Sequence, residues 1–477
     1  MKTTSLFGLA FALLAGPLAQ AATITIVNTD GAGEGFNDPT VVPALPSNPA
    51  TTLGAQRLAV FQTAANQWGA LLQSAVEIRV QAAFNPLTCS GTSAVLGSAG
   101  ALSVHQNFTN APVANVWYSS ALASSLLGSD INGATNDINS QFNVDIDNGT
   151  CLTGTAGWYY STQASDTTPA NRIPLLPVVF HELAHGLGFQ TFTSSSTGAF
   201  NGGVPSIWDT FLADAVSGTT WINMASNAAR QASAISDPNL IWKGPIVTAE
   251  MGNFLGNSPK LIVNAPAVIA GEKNAQTAAF GPSAPAAGVT GDVALGLDAT
   301  GTLEDGCEPI TSNVSGKIAL IRRGTCNFSV KVKNAQNAGA IAALVDNNVA
   351  TGLPGMGGTD ATITITSYGI SQADGDAIRA QVGSTTVNAT LGFGSALAGT
   401  QMSGGVSYVR MNAPNPVQPG SSVSHWTVDT FPNLLMEPSL NTTLFSDVDL
   451  TIPLFRDIGW NVNAPPPSSL IFQDGFE

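Results

Sequence analysis

In the segment from Leu53 to Gln73, apolar residues fall at Leu58, Phe61, Ala65, Trp68 and Leu72, a spacing of three or four that predicts an amphipathic helix. A strand is expected next. Val76, Ile78 and Val80 alternate with Glu77, Arg79 and Gln81 over Val76 to Phe84, the pattern of a half-buried strand. From about Cys89 to Thr168, Gly, Ser, Asn and Thr surround short apolar stretches, which predicts loops, edge strands and one helix near Ala121 to Phe142. Ile173 to Phe189 then reads as a buried helix of about three to four turns, with Pro174 and Pro177 in its first turn and Gly188 as its stop. Further helices are expected around Ile207 to Ala215 and Ala225 to Ala234.

The pattern changes near Leu255. Gly316 to Arg323 reads as a strand, Phe328 to Ala338 as a helix ending at Gly339, and Ala340 to Asp346 as a second strand, a β-α-β unit among Gly-rich turns. Residues 255–395 are therefore expected to form a small β-rich domain of their own. A last helix is expected before Trp460, with Ser446 as N-cap, Asp447 and Asp449 in its first turn and Gly459 beyond its end. Residues 463–477 hold a Pro-rich linker and an apolar-acidic tail, and no internal repeat is visible.

The chain has 477 residues, enough for several domains, and its mean hydropathy of +0.19 rules out disorder throughout. Only 10% of residues are charged, while Gly and Pro number 49 and 28, so the surface must be uncharged-polar and loop-rich. A net charge of -15 offers no footprint for phosphate backbones, and nucleic-acid partners are excluded. Residues 1–21 have Lys2, an apolar run from Leu6 to Ala15 and a small-x-small site at Ala19-Gln20-Ala21, the signature of a secretory signal peptide. No later run is long enough to span a bilayer, so a secreted, soluble and monomeric chain starting near Ala22 is expected. Export favours disulfides. Four cysteines permit three connectivities, and proximity favours Cys89 with Cys151 and Cys307 with Cys326 over a four-Cys metal site, because no close C-x-x-C pair occurs.

His181-Glu182-Leu183-Ala184-His185 carries the strongest chemical signal. Two His at i and i+4 on one helix face can bind one Zn²⁺, and Glu182 is placed to take a proton from a metal-bound water. The bland alternative is a pair of satisfied polar residues on a buried helix. Two His leave a catalytic zinc one protein ligand short, and the other histidines are His105 and His425. Asp209 and Asp214 are alternative ligands, although residues of this kind more often brace a helix.

The compact metzincin motif HExxHxxGxxH would need His at position 191, where this chain has Thr191, yet Gly188 is kept. His181 to Phe189, together with Ser421 to Pro438 (SSVSHWTVDTFPNLLMEP), resembles the leishmanolysin-like metzincins, in which an insertion separates that Gly from the third His. The resemblance implies His425 as third ligand, Met436 as the Met-turn residue and Glu182 as general base. It covers roughly residues 53–254 and 399–460.

Gly306-Cys307-Glu308-Pro309, Gly316 to Phe328 and Lys333 to Ala340 resemble the protease-associated domain, a β-rich fold found in or beside secreted proteases. That likeness implies a lid, a docking surface or a spacer. The whole reads as a discontinuous α/β (α+β) metzincin-like catalytic domain, residues 22–254 and 396–462 with its zinc-binding helix at 173–189, around that insertion. The expected activity is a secreted zinc metalloendopeptidase with one catalytic Zn²⁺, acting on protein or peptide substrates. An exported zinc-containing binding or adhesion protein is the competing class. Calcium stays open, since no EF-hand spacing occurs.

Overall fold

The structure, a computed structural model, describes residues 20–169, 171–358, 360–439, 444 and 449–463. The expected signal peptide, the N-cap at Ser446 with Asp447, and the tail beyond Asn463 lie outside the described residues, apart from Gln20 and Ala21. The chain divides into two compact units, one of residues 1–254 and 400–477 and the other Leu255–Gly399.

The first unit opens with strand β1 (Ile24–Asn28), helix α1 (Leu53–Leu71) and strand β2 (Ile78–Asn85), with β1 and β2 parallel. Thr52 caps α1 through its side chain; Phe61, Ala65, Trp68 and Leu72 of the expected stripe are buried, whereas Leu58 is exposed and Val60 and Ala64 complete the buried face instead. Strand β3 (Gly97–Ala101) follows, then a two-stranded ribbon of β4 (Val104–His105) and β5 (Tyr118–Ser119), helix α2 (Ser120–Leu127) and strand β6 (Ile138–Asn143). The sheet order is β1-β2-β6-β3, and β3 is its antiparallel edge. The helix expected over Ala121 to Phe142 is thus only its first third. Gly128 ends α2 in the left-handed region (φ 76°), and Phe142 belongs to a central strand where it packs on Phe61.

Short strands β7 (Trp158–Tyr159) and β8 (Ile173–Pro174) precede helix α3 (Leu175–Leu187). Every residue of α3 except His181 is buried. Trp68 stacks on Phe180 at 4.5 Å and donates its Nε1–H to the Phe180 carbonyl. Gly186 lies so close to β6 that a Cβ there would sit 2.3 Å from Ile138 Cγ2, which makes glycine necessary for the helix to approach the sheet.

After α3 come β9 (Leu212–Asp214), α4 (Asn227–Ser233), β10 (Leu240–Trp242) and α5 (Pro245–Glu250). The expected helix from Ile207 to Ala215 is instead one 3-10 turn, Trp208–Thr210, running into β9. Leu212 and Ala213 are fully buried against β10, so tertiary pairing decides the conformation.

The second unit contains β11 (Asn257–Ala265), β12 (Gly271–Thr277), β13 (Val289–Leu295), β14 (Ile318–Arg322), α6 (Phe328–Asn337), β15 (Ala342–Asp346), β16 (Thr366–Ile370), α7 (Gln372–Gln381) and β17 (Asn388–Leu397). Its strands close a barrel in the order β11-β12-β16-β15-β14-β13-β17. Period-2 alternation sorts the side chains: Ile318, Leu320, Ala342 and Leu344 join one core, while Ala319, Ile321, Ala343 and Val345 join another with Val332 and Ala335 of α6. Burial on both faces explains why these strands read as unbroken apolar runs. The unit ends beyond position 395 because β17 pairs with β11 as far as Leu397 opposite Asn257.

The chain then returns to the first unit as β18 (Thr400–Ser403) and β19 (Val406–Arg410), which extend the sheet β18-β19-β10-β9, and ends in α8 (Thr451–Ile458). This helix starts later than the sequence suggests. Asp449, one residue before the N-cap Leu450, accepts from Thr451 N and Oγ1 at 3.0 and 2.7 Å. The disulfides are Cys89–Cys151 and Cys307–Cys326. Among the described residues no helix is long and apolar enough to cross a membrane.

Candidate metal centre

His181 and His185 project from one face of α3, and the segment after β19 brings His425 to them. That segment is held by Asn412 N donating to His425 O, Thr427 N to Arg410 O and Trp426 N to Met436 O, at 2.8, 3.1 and 2.9 Å. The three Nε2 atoms are 3.2 Å from one another. Each ring has its other nitrogen on a backbone carbonyl: His181 Nδ1 on Leu435 O at 2.7 Å, His185 Nδ1 on Phe189 O at 2.8 Å and His425 Nδ1 on Ser421 O at 2.8 Å.

These carbonyls can only accept, so each Nδ1 carries the ring proton. Burial depresses the three imidazoles, His181 to about 4, His185 to about 3 and His425 well below its usual value, so all three are neutral. Each Nε2 therefore presents a bare lone pair to the other two. Such a cluster repels itself unless a cation lies between the nitrogens. Zn–N bonds of about 2.0–2.1 Å in a tetrahedron put the nitrogens about 3.4 Å apart, close to the observed 3.2 Å. The donor set fits one zinc ion, with the carbonyl partners fixing the tautomers.

Glu182 lines the same cleft, which has a volume of about 1140 Å³. Its carboxylate accepts the Ala99 backbone N–H of β3, but burial is the larger influence and raises its pKa to about 8. Gly97 of the same edge strand leaves room for it, since a Cβ there would be 3.2 Å from Glu182 Cγ. Met436 is fully buried, and its neighbour Leu435 supplies the carbonyl that orients His181.

Gly188 ends α3 with φ 126°, so the chain turns away one residue before Phe189, whose carbonyl holds His185. Thr191, where a compact motif would have its third His, donates Oγ1–H to Asp209 at 2.8 Å. Asp209 is no ligand. Its carboxylate is buried and also accepts from Thr193 Oγ1 and from Ser206 N and Oγ, at 2.6, 2.7 and 2.8 Å, so it braces the loop behind the site. Asp214 ends β9 and accepts from Ser217 N in a surface turn. His105 pairs with Ser103 Oγ in β4 and does not join the cluster.

Asp449 is a contributor that the sequence reading placed only in a helix turn. Its second oxygen accepts the Leu435 N–H, so one carboxylate ties the start of α8 to the residue that orients His181. No local pattern reports a contact made across a sequence separation of 14.

Residues 263–378 match the family model of the PA domain, wholly within the second unit and apart from the histidines. The chain is thus a mixed α/β protein carrying a PA domain. It is 38% identical over 126 residues to a leucine aminopeptidase 2 of Arthroderma otae, covering 26% of this chain and 24% of that protein. It is 40% identical over 107 residues to a receptor homology region, transmembrane domain- and RING domain-containing protein 1 of Oryza sativa subsp. japonica, covering 21% and 20%. The chain spans only about a fifth to a quarter of the length of these curated relatives. A solved zinc aminopeptidase of Bacillus subtilis aligns with 34% of this chain and 38% of its own at 22% identity and a TM-score of 0.22. Neither curated relative is named as a leishmanolysin-like protease, so that finer resemblance rests on the histidine and Met segments alone.

Proposed function

We propose that this chain is an exported zinc metallopeptidase with a PA domain, an endopeptidase of metzincin type. The convergence of three bare Nε2 lone pairs in a cleft that also holds Glu182 carries this reading. His181, His185 and His425 would hold the ion. Zinc bound there supplies the positive charge that acidifies a water and polarises a peptide carbonyl. Glu182 takes the proton of the attacking water and passes it to the leaving amine. The Ala99 N–H holds its carboxyl group, and the charge of a bound ion would offset the burial that otherwise favours its protonated form.

The edge strand β3 lies along this cleft through Gly97, Ser98 and Ala99, and its sheet partner is β6 alone. An extended substrate could add to such an edge by main-chain hydrogen bonds. The described cleft residues include no Lys or Arg to bind a terminal carboxylate, which favours cutting within chains over removal of C-terminal residues. An aminopeptidase with two metals needs ligands for both ions, whereas the histidine group has three donors, a set for one.

The test is cleavage of casein and of an end-blocked, internally quenched peptide, beside leucine p-nitroanilide, by the zinc-loaded chain and its Glu182→Ala variant. Internal cleavage by the parent, lost in a variant that still binds one zinc, is expected. Cleavage of the anilide alone would make it an aminopeptidase, and an inert parent with one zinc per chain would favour the binding-protein class.

A further inference from the structure

Asp298, Asp305 and Glu308 lie in the long connection between β13 and β14 of the PA unit, far in sequence from the histidines. One carboxylate oxygen from each falls within 4.8 Å of the others. Asp298 and Asp305 are buried, at 4% and 3% exposure, and Glu308 is half-buried. Three carboxylates gathered at a buried spot repel one another, and ordinary folds avoid this unless a cation joins them.

The polar partners they do have leave that charge unmatched. Asp298 Oδ2 accepts from Glu308 N at 3.4 Å, and Asp305 Oδ1 from Cys307 N at 3.2 Å. Asp298 Oδ1 is buried without any hydrogen-bond partner. None of the ion pairs among the described residues includes Asp298, Asp305 or Glu308. The buried Lys331 is the nearby cation, and all three carboxylates act on its charge. Its ammonium instead donates to the Asp305 carbonyl at 2.5 Å and to Cys307 Sγ at 3.3 Å. It offsets part of the negative charge without satisfying the orphaned oxygen.

We propose that Asp298, Asp305 and Glu308 form a calcium site that fastens the 298–308 loop of the PA unit. The ligands are hard oxygens, which select against zinc. Calcium bonds of about 2.3–2.6 Å let one ion reach oxygens separated by as much as 4.8 Å, while magnesium is usually held by only one or two carboxylates. Cys307 stands between two of the ligands and is joined to Cys326 after β14, so the ion and the disulfide hold the same loop from two sides.

The test is isothermal titration and thermal melting of the full mature chain, desalted into calcium-free buffer without chelator so that the histidine site keeps its metal. The parent should bind one calcium in the PA unit and melt about 5 °C higher in millimolar calcium, with little response to magnesium. Glu308→Gln changes a half-buried side chain that makes no ion pair, so it should fold and keep its disulfide while binding calcium at least tenfold more weakly. Asp298→Asn should do the same, and Lys331→Met should bind calcium more tightly. No calcium response in the parent, equal affinity in Glu308→Gln and parent, or an equal response to magnesium would each overturn the proposal.

Discussion

His181 donates its Nδ1–H to the carbonyl oxygen of Leu435 at 2.7 Å, across a sequence separation of 254 residues. This bond joins the helix carrying two of the histidines to the loop that carries Met436, and so ties together two stretches that the PA unit separates in the sequence. The Leu435 amide is in turn held by Asp449. The orientation of His181 therefore depends on α8, although no residue of α8 touches the histidine cluster in the proposed ligand set.

Replacing Asp449 by Ala tests that dependence. The Leu435 N–H and the Thr451 N–H at the start of α8 lose their acceptor, and the expected result is a 10- to 100-fold weaker zinc affinity, of the order found for outer-shell partners of metal-bound His. Competition with a zinc indicator measures it. Unchanged affinity would show that the Leu435 carbonyl holds its position without Asp449.

Glu182→Gln preserves shape and removes the proton acceptor. It is expected to keep one zinc per chain while losing about 10²–10⁴ in kcat, read with the quenched peptide. A variant as active as the parent would remove Glu182 from the proton transfers.

Glu437 gives a pH prediction. Burial raises its pKa to about 7, with Asp449 and Asp429 adding repulsion and the Thr430 hydroxyl and Leu434 N–H opposing the shift. The native state then binds more protons than the unfolded state between about 4.5 and 7, so this group makes stability fall as pH rises through that window. Glu437→Gln keeps an oxygen for both donors and removes the titration. Denaturant melts should show it gaining on the parent by about 1–3 kcal/mol between pH 4.5 and pH 8, and parallel pH profiles would refute this.

Gly186→Ala places a methyl group against Ile138 Cγ2. Overpacking of this kind costs about 1–3 kcal/mol, and the double variant with Ile138→Val should recover part of it. Urea unfolding of the four chains of that cycle measures the coupling. Additive effects would mean that α3 and β6 can move apart freely.

The helix carrying His181 and His185 was legible because an apolar run ending at Gly188 and an i, i+4 histidine pair are both local patterns. The two strands of the β-α-β unit in the PA unit were legible as short continuous apolar runs bounded by turns, the pattern of strands buried on both faces. Where conformation depended on a distant partner, local pattern misled. Ile207 to Ala215 reads as helix by composition, but Leu212 and Ala213 pair with β10, and Phe142 lies in a strand because β2 and β3 flank it.

The sequence by itself determined the disulfide candidates, the zinc-type histidine motif, and His425 as its third member through family resemblance. Only the tertiary structure decided that Asp209 is a brace and not a ligand, that Asp449 orients the site through Leu435, and that Asp298, Asp305 and Glu308 meet at one buried point. The reason is physical: a helix or strand is specified by neighbours along the chain, whereas a buried carboxylate is assigned its role by whichever donors the fold closes around it.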